Sequence, residues 1–128
     1  MTYIDSSVAL AQLFVEDRRP PESLWDEVLT ASRLLSYEVW NRVHSRRIPR
    51  IHEDKVRAML DAVAFVELTP IVLARAVEPF PRPVRTLDAL HLATIEFLRG
   101  QGQQIELASY DDRRLEGARA LGIPIRPL

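Results

Sequence analysis

Four acidic residues lie at junctions between predicted strands and helices, although they are spread over most of the chain: Asp5, Glu38, Asp88 and Asp111. Asp5 and Asp111 follow apolar, strand-like segments, whereas Glu38 and Asp88 lie in the first turns of predicted helices. In a parallel sheet, the carboxyl ends of neighbouring strands meet at one edge, where ligands bind. Carboxylates gathered there repel one another unless a cation is bound between them. The four acids therefore predict a site for Mg²⁺ or Mn²⁺.

The chemistry of such a site follows from its ligands. Hard divalent cations prefer oxygen ligands, with one or two carboxylates bound directly and water completing the shell. Two such ions roughly 3.5–4 Å apart activate a water and stabilise the leaving oxygen of a phosphodiester. Each acid taken alone also has a structural interpretation, because Asp5 and Asp111 are good N-caps, and Glu38 and Asp88 would be stabilised by a helix dipole. Both interpretations remain open for each acid.

The elements that would position these acids alternate along the chain. Strands are predicted at 2–4, 33–35, 66–68, 105–108 and 123–125, and helices at 8–14, 22–29, 37–47, 52–65, 69–77, 86–98 and 111–121. This alternation, without hairpin signals, is typical of a parallel sheet with helices on both faces. Three prolines predict a loop at 78–83, and Pro49 is expected to end or kink the helix before it.

Composition limits the classes of function. At 128 residues, with 47% hydrophobic and 27% charged residues, residues 1–128 are expected to form one soluble domain. The absence of Cys excludes disulfides, thiolate zinc sites and cysteine nucleophiles. No apolar run approaches the roughly 18 residues that a membrane span requires, and no signal-peptide pattern opens the chain. We therefore expect a cytoplasmic protein without membrane contact.

Three segments carry a resemblance to a known family: Y-I-D-S-S-V-A-L from residue 3, R-T-L-D-A-L-H-L-A-T from residue 85 and S-Y-D-D-R-R-L-E-G-A-R-A-L-G-I-P-I from residue 109. Together they resemble the PIN domain and, more narrowly, the VapC-type toxins of bacterial toxin–antitoxin pairs. The resemblance implies an α/β/α sandwich around a parallel sheet of four or five strands. It also implies a Mg²⁺- or Mn²⁺-dependent endoribonuclease that cleaves RNA phosphodiesters with a metal-activated water.

The resemblance further implies roles and partners. All four acids named above match the family's catalytic acids, and three of them match its metal ligands: Asp5, Asp88 and Asp111. Ser109 falls where the family has a hydroxyl near the metals. Asp112 follows Asp111 directly, so either could face the metal, the other supporting it or lying in solvent. Such toxins are typically held inactive by a VapB-type antitoxin, bind promoter DNA through that complex and form homodimers.

The basic residues are unevenly distributed although the net charge is only −1. Between residues 42 and 57, six basic residues stand against two acidic ones, and all of the six except Lys55 are arginines. The planar guanidinium suits phosphate because it donates two hydrogen bonds at once. Arg42 and Arg46 follow Glu38 on its helix face, where they could meet RNA phosphates or acidic groups of an antitoxin. The alternative is an exposed Glu38–Arg42 ion pair that contributes about 0.3–0.5 kcal/mol.

Three residues around Asp88 have two interpretations each. Arg85 could contact phosphate or lie in solvent, and Thr86 could contact substrate, although we expect it to cap the helix that follows. His91 lies one turn after Asp88, where it could be a general base, but a structural, hydrogen-bonded histidine is the favoured interpretation.

Two functions compete with the nuclease. One is a non-catalytic PIN-fold binding module that retains the acids without the chemistry. The other is a receiver-like phosphoacceptor domain, which also has acids at a sheet edge. A receiver-like domain requires an early acidic pair and a late lysine, and the only lysine here is Lys55 in the middle of the chain.

Overall fold

Four parallel strands form the central sheet of the computed structural model, which describes residues 1–14, 18–47 and 52–128. The strands are β1 (Thr2–Ile4), β2 (Leu29–Ser32), β3 (Val63–Val66) and β4 (Glu106–Ala108). Across the sheet they run in the order β3, β2, β1, β4, and every neighbouring pair is parallel. The predicted parallel sheet is confirmed, with four strands in the described part of the chain.

Helices cover both faces of this sheet. In the described residues they are α1 (Ser6–Leu13), α2 (Leu34–Ser45), α3 (Glu53–Asp61), α4 (Pro70–Ala76), α5 (Thr86–Gly100) and α6 (Asp112–Ala120). One core cluster joins α1, α2 and α3 to β1 through Ile4. A second cluster joins α5 and α6 to β1 through Tyr3. Adjacent strand residues point to opposite faces, so β1 contributes to both cores and the fold is the predicted α/β/α sandwich.

Apolar spacing explains why the helices pack as they do. On α2, Leu35, Val39 and Val43 recur every fourth residue and are buried against the sheet. On α5, Leu92 and Ile95 are buried three residues apart on the other face. Burying each such side chain contributes roughly 1.5–3 kcal/mol. None of the helices in the described segments is long and apolar enough to cross a bilayer.

Strand register brings the ends of the central strands to one edge of the sheet. Ile4, the last residue of β1, pairs with Ala108, the last residue of β4. The residues that follow these two strands, Asp5 and Ser109, are therefore neighbours although they are far apart in sequence. We call this edge, at the C-terminal ends of the strands, the carboxyl edge.

The predictions for residues 22–35 are wrong. The helix predicted at 22–29 is a 3₁₀ helix that ends at Asp26, and the strand predicted at 33–35 lies at Leu29–Ser32. Sheet pairing explains the shift, because all four residues of β2 pair with β3, and Leu29 and Thr30 also pair with β1. The leucines that suggested a strand instead begin α2 at Leu34.

Two further strand predictions need correction. The third strand is Val63–Val66 rather than 66–68, because α3 ends at Asp61 and the following apolar residues pair with β2. The strand predicted at 123–125 is a single bridge between Leu107 and Ile125. The helix end predicted at Pro49 lies outside the described residues. The other predicted elements are confirmed, with shifts of a few residues at their ends.

Candidate functional site

Asp5 lies at the carboxyl end of β1 and has no exposed surface. Its Oδ1 accepts hydrogen bonds from the backbone N–H of Val8 at 3.3 Å and from the Ser7 hydroxyl at 2.5 Å. Its Oδ2 accepts a hydrogen bond from the Ser109 hydroxyl on the neighbouring strand end. Asp5 therefore does cap α1, as its structural interpretation predicts, while its second oxygen faces the carboxyl edge.

Asp88 approaches Asp5 from the first turn of α5. Its Oδ2 accepts the backbone N–H of Arg85 at 3.3 Å, and its Oδ1 accepts Nε–H of Arg114 at 3.0 Å. The same guanidinium donates from Nη1 to Asp5 Oδ2 at 2.8 Å. The two acids thus share one positive charge. The predicted cap Thr86 is wrong, because Arg85 is the N-cap and Thr86 is the first helical residue.

Arg114 is the site residue that the sequence analysis missed. It lies on the inner face of α6 with Gly117 and Ala118, and it is only 4% exposed. Burial opposes its charge, but nearby carboxylates, Asp5 foremost and then Asp88, outweigh that effect and raise the pKa of Arg114. A signal was present in the sequence, since an arginine on the inward stripe of a helix requires buried acidic partners.

Glu38 is hydrogen-bonded by His91 and Ser6, and no arginine donates to it among the described residues. Its Oε1 lies 2.6 Å from Nε2 of His91, and its Oε2 accepts the Ser6 hydroxyl at 3.1 Å. Burial opposes its charge, but the hydrogen bond from His91 outweighs burial and lowers the pKa of Glu38. Two predictions are corrected here: α2 begins at Leu34, so Glu38 lies beyond the first turn, and among the described residues it forms no ion pair with Arg42.

A buried hydrogen-bond chain fixes the tautomer of His91. The backbone N–H of Ser32 donates to Tyr3 Oη at 3.1 Å, so the Tyr3 hydroxyl is free to donate to His91 Nδ1, 2.6 Å away. His91 then carries its proton on Nε2 and donates to Glu38, so every polar side-chain atom of Tyr3 and His91 has a hydrogen-bond partner. Burial raises the pKa of Tyr3 well above its ordinary value. His91 is thus a structural link, in line with the favoured interpretation.

Asp111 follows β4 and caps α6, because its Oδ1 accepts the backbone N–H of Arg114 at 3.2 Å. Its own backbone N–H donates to the Ser109 hydroxyl at 2.9 Å. Asp112 is exposed at the start of α6. Both acids line a cleft of about 830 Å³ together with Arg85, Thr86, Asp88, Arg113 and Arg114. The choice between Asp111 and Asp112 as metal ligand stays a prediction.

The donor set fits a hard cation by chemistry, although a guanidinium now holds the central position. Asp5 and Asp88 meet across Arg114 at the carboxyl edge, and Asp111 lines the cleft beside Asp88. Within residues 1–14, 18–47 and 52–128, however, no three His, Asp or Glu side chains lie close enough together to hold a metal ion as they stand. Arg114 is itself a stand-in cation, so the Asp5–Asp88 pair is built to bind positive charge.

Arginines flank this edge on a second side. A smaller cleft of about 290 Å³ is lined by Ser7, Leu10, Arg18, Arg42, Arg46, Tyr110 and Asp111. The guanidinium of Arg18, which the sequence analysis did not single out, lies 5.0 Å from the centre of the Tyr110 ring. Arg42 and Arg46 are exposed, as the functional interpretation requires. Arg50 lies outside the described residues.

Comparisons with known proteins agree with this architecture. Ribonuclease VapC35 of Mycobacterium tuberculosis, in strains CDC 1551 and H37Rv, is 25% identical over 128 residues, which cover 98% of this chain and 95% of that protein. The fold matches a toxin–antitoxin complex from Klebsiella pneumoniae with a TM-score of 0.70, at 18% identity and 94% coverage of both chains.

A second solved structure is the M. tuberculosis toxin VapC20, which cleaves the sarcin–ricin loop. It matches with a TM-score of 0.69 at 21% identity, covering 99% of this chain and 100% of that one. At these identities the solved structures show the fold alone. The sequence itself matches the PIN domain over residues 2–120. The chain therefore belongs to the PIN domain family and is a distant homologue of the VapC ribonuclease toxins.

Proposed function

We propose that this protein is a Mg²⁺- or Mn²⁺-dependent endoribonuclease and the toxin of a type II toxin–antitoxin pair. The observation that carries the proposal is the Asp5–Asp88 pair, whose carboxylates come from different elements and together bind one positive charge at the carboxyl edge. Buried like charges are retained at such a cost only where a cation compensates them. The likeness to ribonuclease VapC35 supports a nuclease over other uses of the site.

The acids at the carboxyl edge would have different roles in this reaction. Asp5, Asp88 and Asp111 would hold the ion, and Glu38 would act beside them with its orientation fixed by His91. When bound, the ion would supply an activated water and charge stabilisation at the phosphodiester. Ser109 supports two of the acids at once, because its hydroxyl contacts the carboxylate of Asp5 and accepts the N–H of Asp111.

The arginines beside the acids suit an RNA backbone. Arg42 and Arg46 are exposed on the cleft that also contains Asp111, and Arg85 lines the other cleft with Asp88. A phosphate bound by these side chains would place the neighbouring phosphodiester near the acids. Phosphate contacts position a nucleic acid without reading its sequence, so these arginines account for binding rather than for the choice of target.

Cleavage of RNA tests the proposal. Purified protein would be incubated with structured cellular RNA and Mg²⁺ or Mn²⁺, beside Asp88→Asn, an EDTA control and the matched variant Asp61→Asn. Asp61 is an exposed acid that ends α3 just before β3, so it lies at the opposite edge of the sheet. We expect discrete fragments from the wild type and Asp61→Asn only. Equal cleavage by Asp88→Asn would contradict the proposal.

The proposed partners follow from the same comparisons. The likeness to a toxin–antitoxin complex supports a VapB-type antitoxin as the inhibitory partner. Binding of promoter DNA would then occur only through that complex, and we propose a homodimer in the cytoplasm. Purification of the chain alone and with a co-expressed VapB-type antitoxin, followed by light scattering, would test both assemblies.

One observation favours a second candidate, the non-catalytic binding module. Arg114 already neutralises Asp5 and Asp88, so the acids are stable without an ion. A module of this kind would bind RNA or an antitoxin equally well with and without metal, and it would never cleave. The receiver-like alternative gains nothing from the comparisons, since the matched family is the PIN domain.

A further inference from the structure

The hydrogen bonds of the buried acids leave little room for a metal ion. Asp5 uses both oxygens, Oδ1 for Ser7 and the backbone of Val8, and Oδ2 for Ser109 and Arg114. Asp88 likewise uses Oδ2 for a backbone N–H and Oδ1 for Arg114. An ion that binds both carboxylates must therefore displace at least one of these donors.

Arg114 is the donor that a divalent cation would displace. The backbone donors are fixed by the starts of α1 and α5, and the serine hydroxyls are neutral. The guanidinium carries a positive charge and lies against the Oδ2 of Asp5 and the Oδ1 of Asp88, which are the oxygens that face each other across it. Two cations cannot occupy that position together, because like charges in a site hidden from water repel strongly.

The cleft beside the acids provides a place for the displaced side chain. Arg114 lines the cleft of about 830 Å³ together with Asp111 and Asp112. Asp111 caps the same helix three residues before Arg114, a spacing that places the two side chains on one side of the helix. A guanidinium that rotates away from Asp5 can therefore remain close to a carboxylate, so the movement does not require an uncompensated charge.

We propose that Arg114 is a built-in counter-ion that competes with the divalent cation for Asp5 and Asp88, so that the site loads metal only when the guanidinium leaves. The inference rests on the proposed metal-dependent function and adds a regulatory property to it. An ion that binds only the open arrangement has its apparent affinity reduced by the fraction of molecules in that arrangement. The chain thus keeps a stable metal-free fold at the expense of metal affinity.

The side chain of Arg114 can be followed directly in the wild-type protein. In a ¹⁵N-labelled sample, the Nε–H signal of Arg114 is identified by its absence from Arg114→Lys. Without metal we expect this signal to be protected from exchange with water, because Nε–H is bonded to buried Asp88. Saturation with Mg²⁺ should abolish that protection. A signal that stays protected while calorimetry shows Mg²⁺ binding would overturn the inference.

Metal affinity provides the second readout. Calorimetric titration with Mn²⁺ should give at least about tenfold tighter binding for Arg114→Met than for the wild type. Arg113→Met is the matched control, since it removes an exposed arginine from the same cleft, and its affinity should stay within about twofold of the wild type. If Arg114→Met fails to fold, Arg114→Lys should show a smaller increase, because a single ammonium cannot bridge both carboxylates as the guanidinium does.

The outcomes separate the two proposals. Equal Mn²⁺ affinity in the wild type and in the Arg114 variants overturns the competition while leaving the metal-dependent function in place. Failure of both the wild type and the Arg114 variants to bind Mn²⁺ overturns the proposed function and the competition together.

Discussion

Two groups of buried polar residues lie at the carboxyl edge, and they compensate the negative charge of their acids in different ways. In the first, Asp5 and Asp88 share the guanidinium of Arg114. In the second, Glu38 ends a chain of hydrogen bonds that runs through His91 to Tyr3. The first group is compensated by a charge on a long side chain, and the second by short hydrogen bonds among rigidly packed side chains.

The difference separates an exchangeable site from a fixed one. Tyr3 and His91 are completely buried and contribute to the packing around β1 and α5, so the second group cannot rearrange without disturbing the core. Arg114 lines an open cleft and can leave while α6 stays in place. Under the proposed function, the acids that accept an ion therefore belong to the first group, and Glu38 keeps one orientation.

Removing the guanidinium of Arg114 should give the largest effect, a loss of folding stability. Arg114→Met leaves two buried carboxylates unpaired, so without metal we expect the free energy of unfolding to fall by about 3–5 kcal/mol. Arg113→Met, an exposed neighbour, should change it by no more than about 0.5 kcal/mol. Urea denaturation of both variants in EDTA measures this. Similar losses in the two variants would mean that the ion pairs of Arg114 contribute little.

The next largest effect should be on the rate of RNA cleavage, which should fall more when an acid of the first group is replaced than when Glu38 is. Asp5→Asn should lower the rate of RNA cleavage by more than about a hundredfold, because it removes a proposed ligand of the ion. Glu38→Gln keeps the hydrogen bond to His91 and should lower the rate by only about tenfold. Initial rates on one RNA at saturating Mn²⁺ provide the comparison. A larger loss in Glu38→Gln would reverse the roles assigned to the two groups.

Breaking the hydrogen-bond chain from Tyr3 to Glu38 should reduce folding stability less than removing Arg114 does. Tyr3→Phe removes the hydroxyl that accepts from Ser32 and donates to His91, so we expect a loss of about 1–3 kcal/mol in the free energy of unfolding. Tyr37→Phe is the matched control, since Tyr37 is 70% exposed and should show almost no change. Equal losses in the two variants, measured by urea denaturation, would argue against a stabilising hydrogen-bond chain through Tyr3.

The pH dependence of stability should be the smallest effect. Burial opposes the charge of Glu38, but the interaction with His91 outweighs burial, with a smaller contribution from Arg114, so the pKa of Glu38 is lowered from its ordinary 4.5. A depressed carboxyl pKa stabilises the fold above the unfolded value and loses that contribution as the pH falls through the folded value. As the pH falls below about 4.5, the free energy of unfolding should therefore decrease less for Glu38→Gln than for the wild type. Parallel pH profiles would contradict this.

Much of the fold follows from local sequence patterns. The alternation of elements, the caps at Asp5 and Asp111 and the long amphipathic α5 are all readable from spacing and residue type. The position of β2 is not, because a short apolar segment suits a helix or a strand equally well. Pairing with two neighbouring strands decides it, and that information is not local.

Part of the arrangement at the carboxyl edge follows from the parallel sheet. Asp5 and Asp111 follow parallel strands, and the first turn of α5 brings Asp88 to the guanidinium that also binds Asp5. That these acids hold a metal stays a prediction. Arg114 and the partners of Glu38 depend on side chains that meet across the two faces of the sheet. The sequence gives only a weak indication of these contacts, namely an arginine on the buried face of α6.

Direct measurement of metal binding tests the central claim that the carboxyl edge is a divalent metal site. The signal of free Mn²⁺ in electron paramagnetic resonance reports how much of the ion is bound as protein is added. We expect the wild type and Asp61→Asn to deplete that signal saturably, and Asp5→Asn and Asp88→Asn to leave it almost unchanged. Equal depletion by all four proteins would show that the ion binds elsewhere and would contradict the claim.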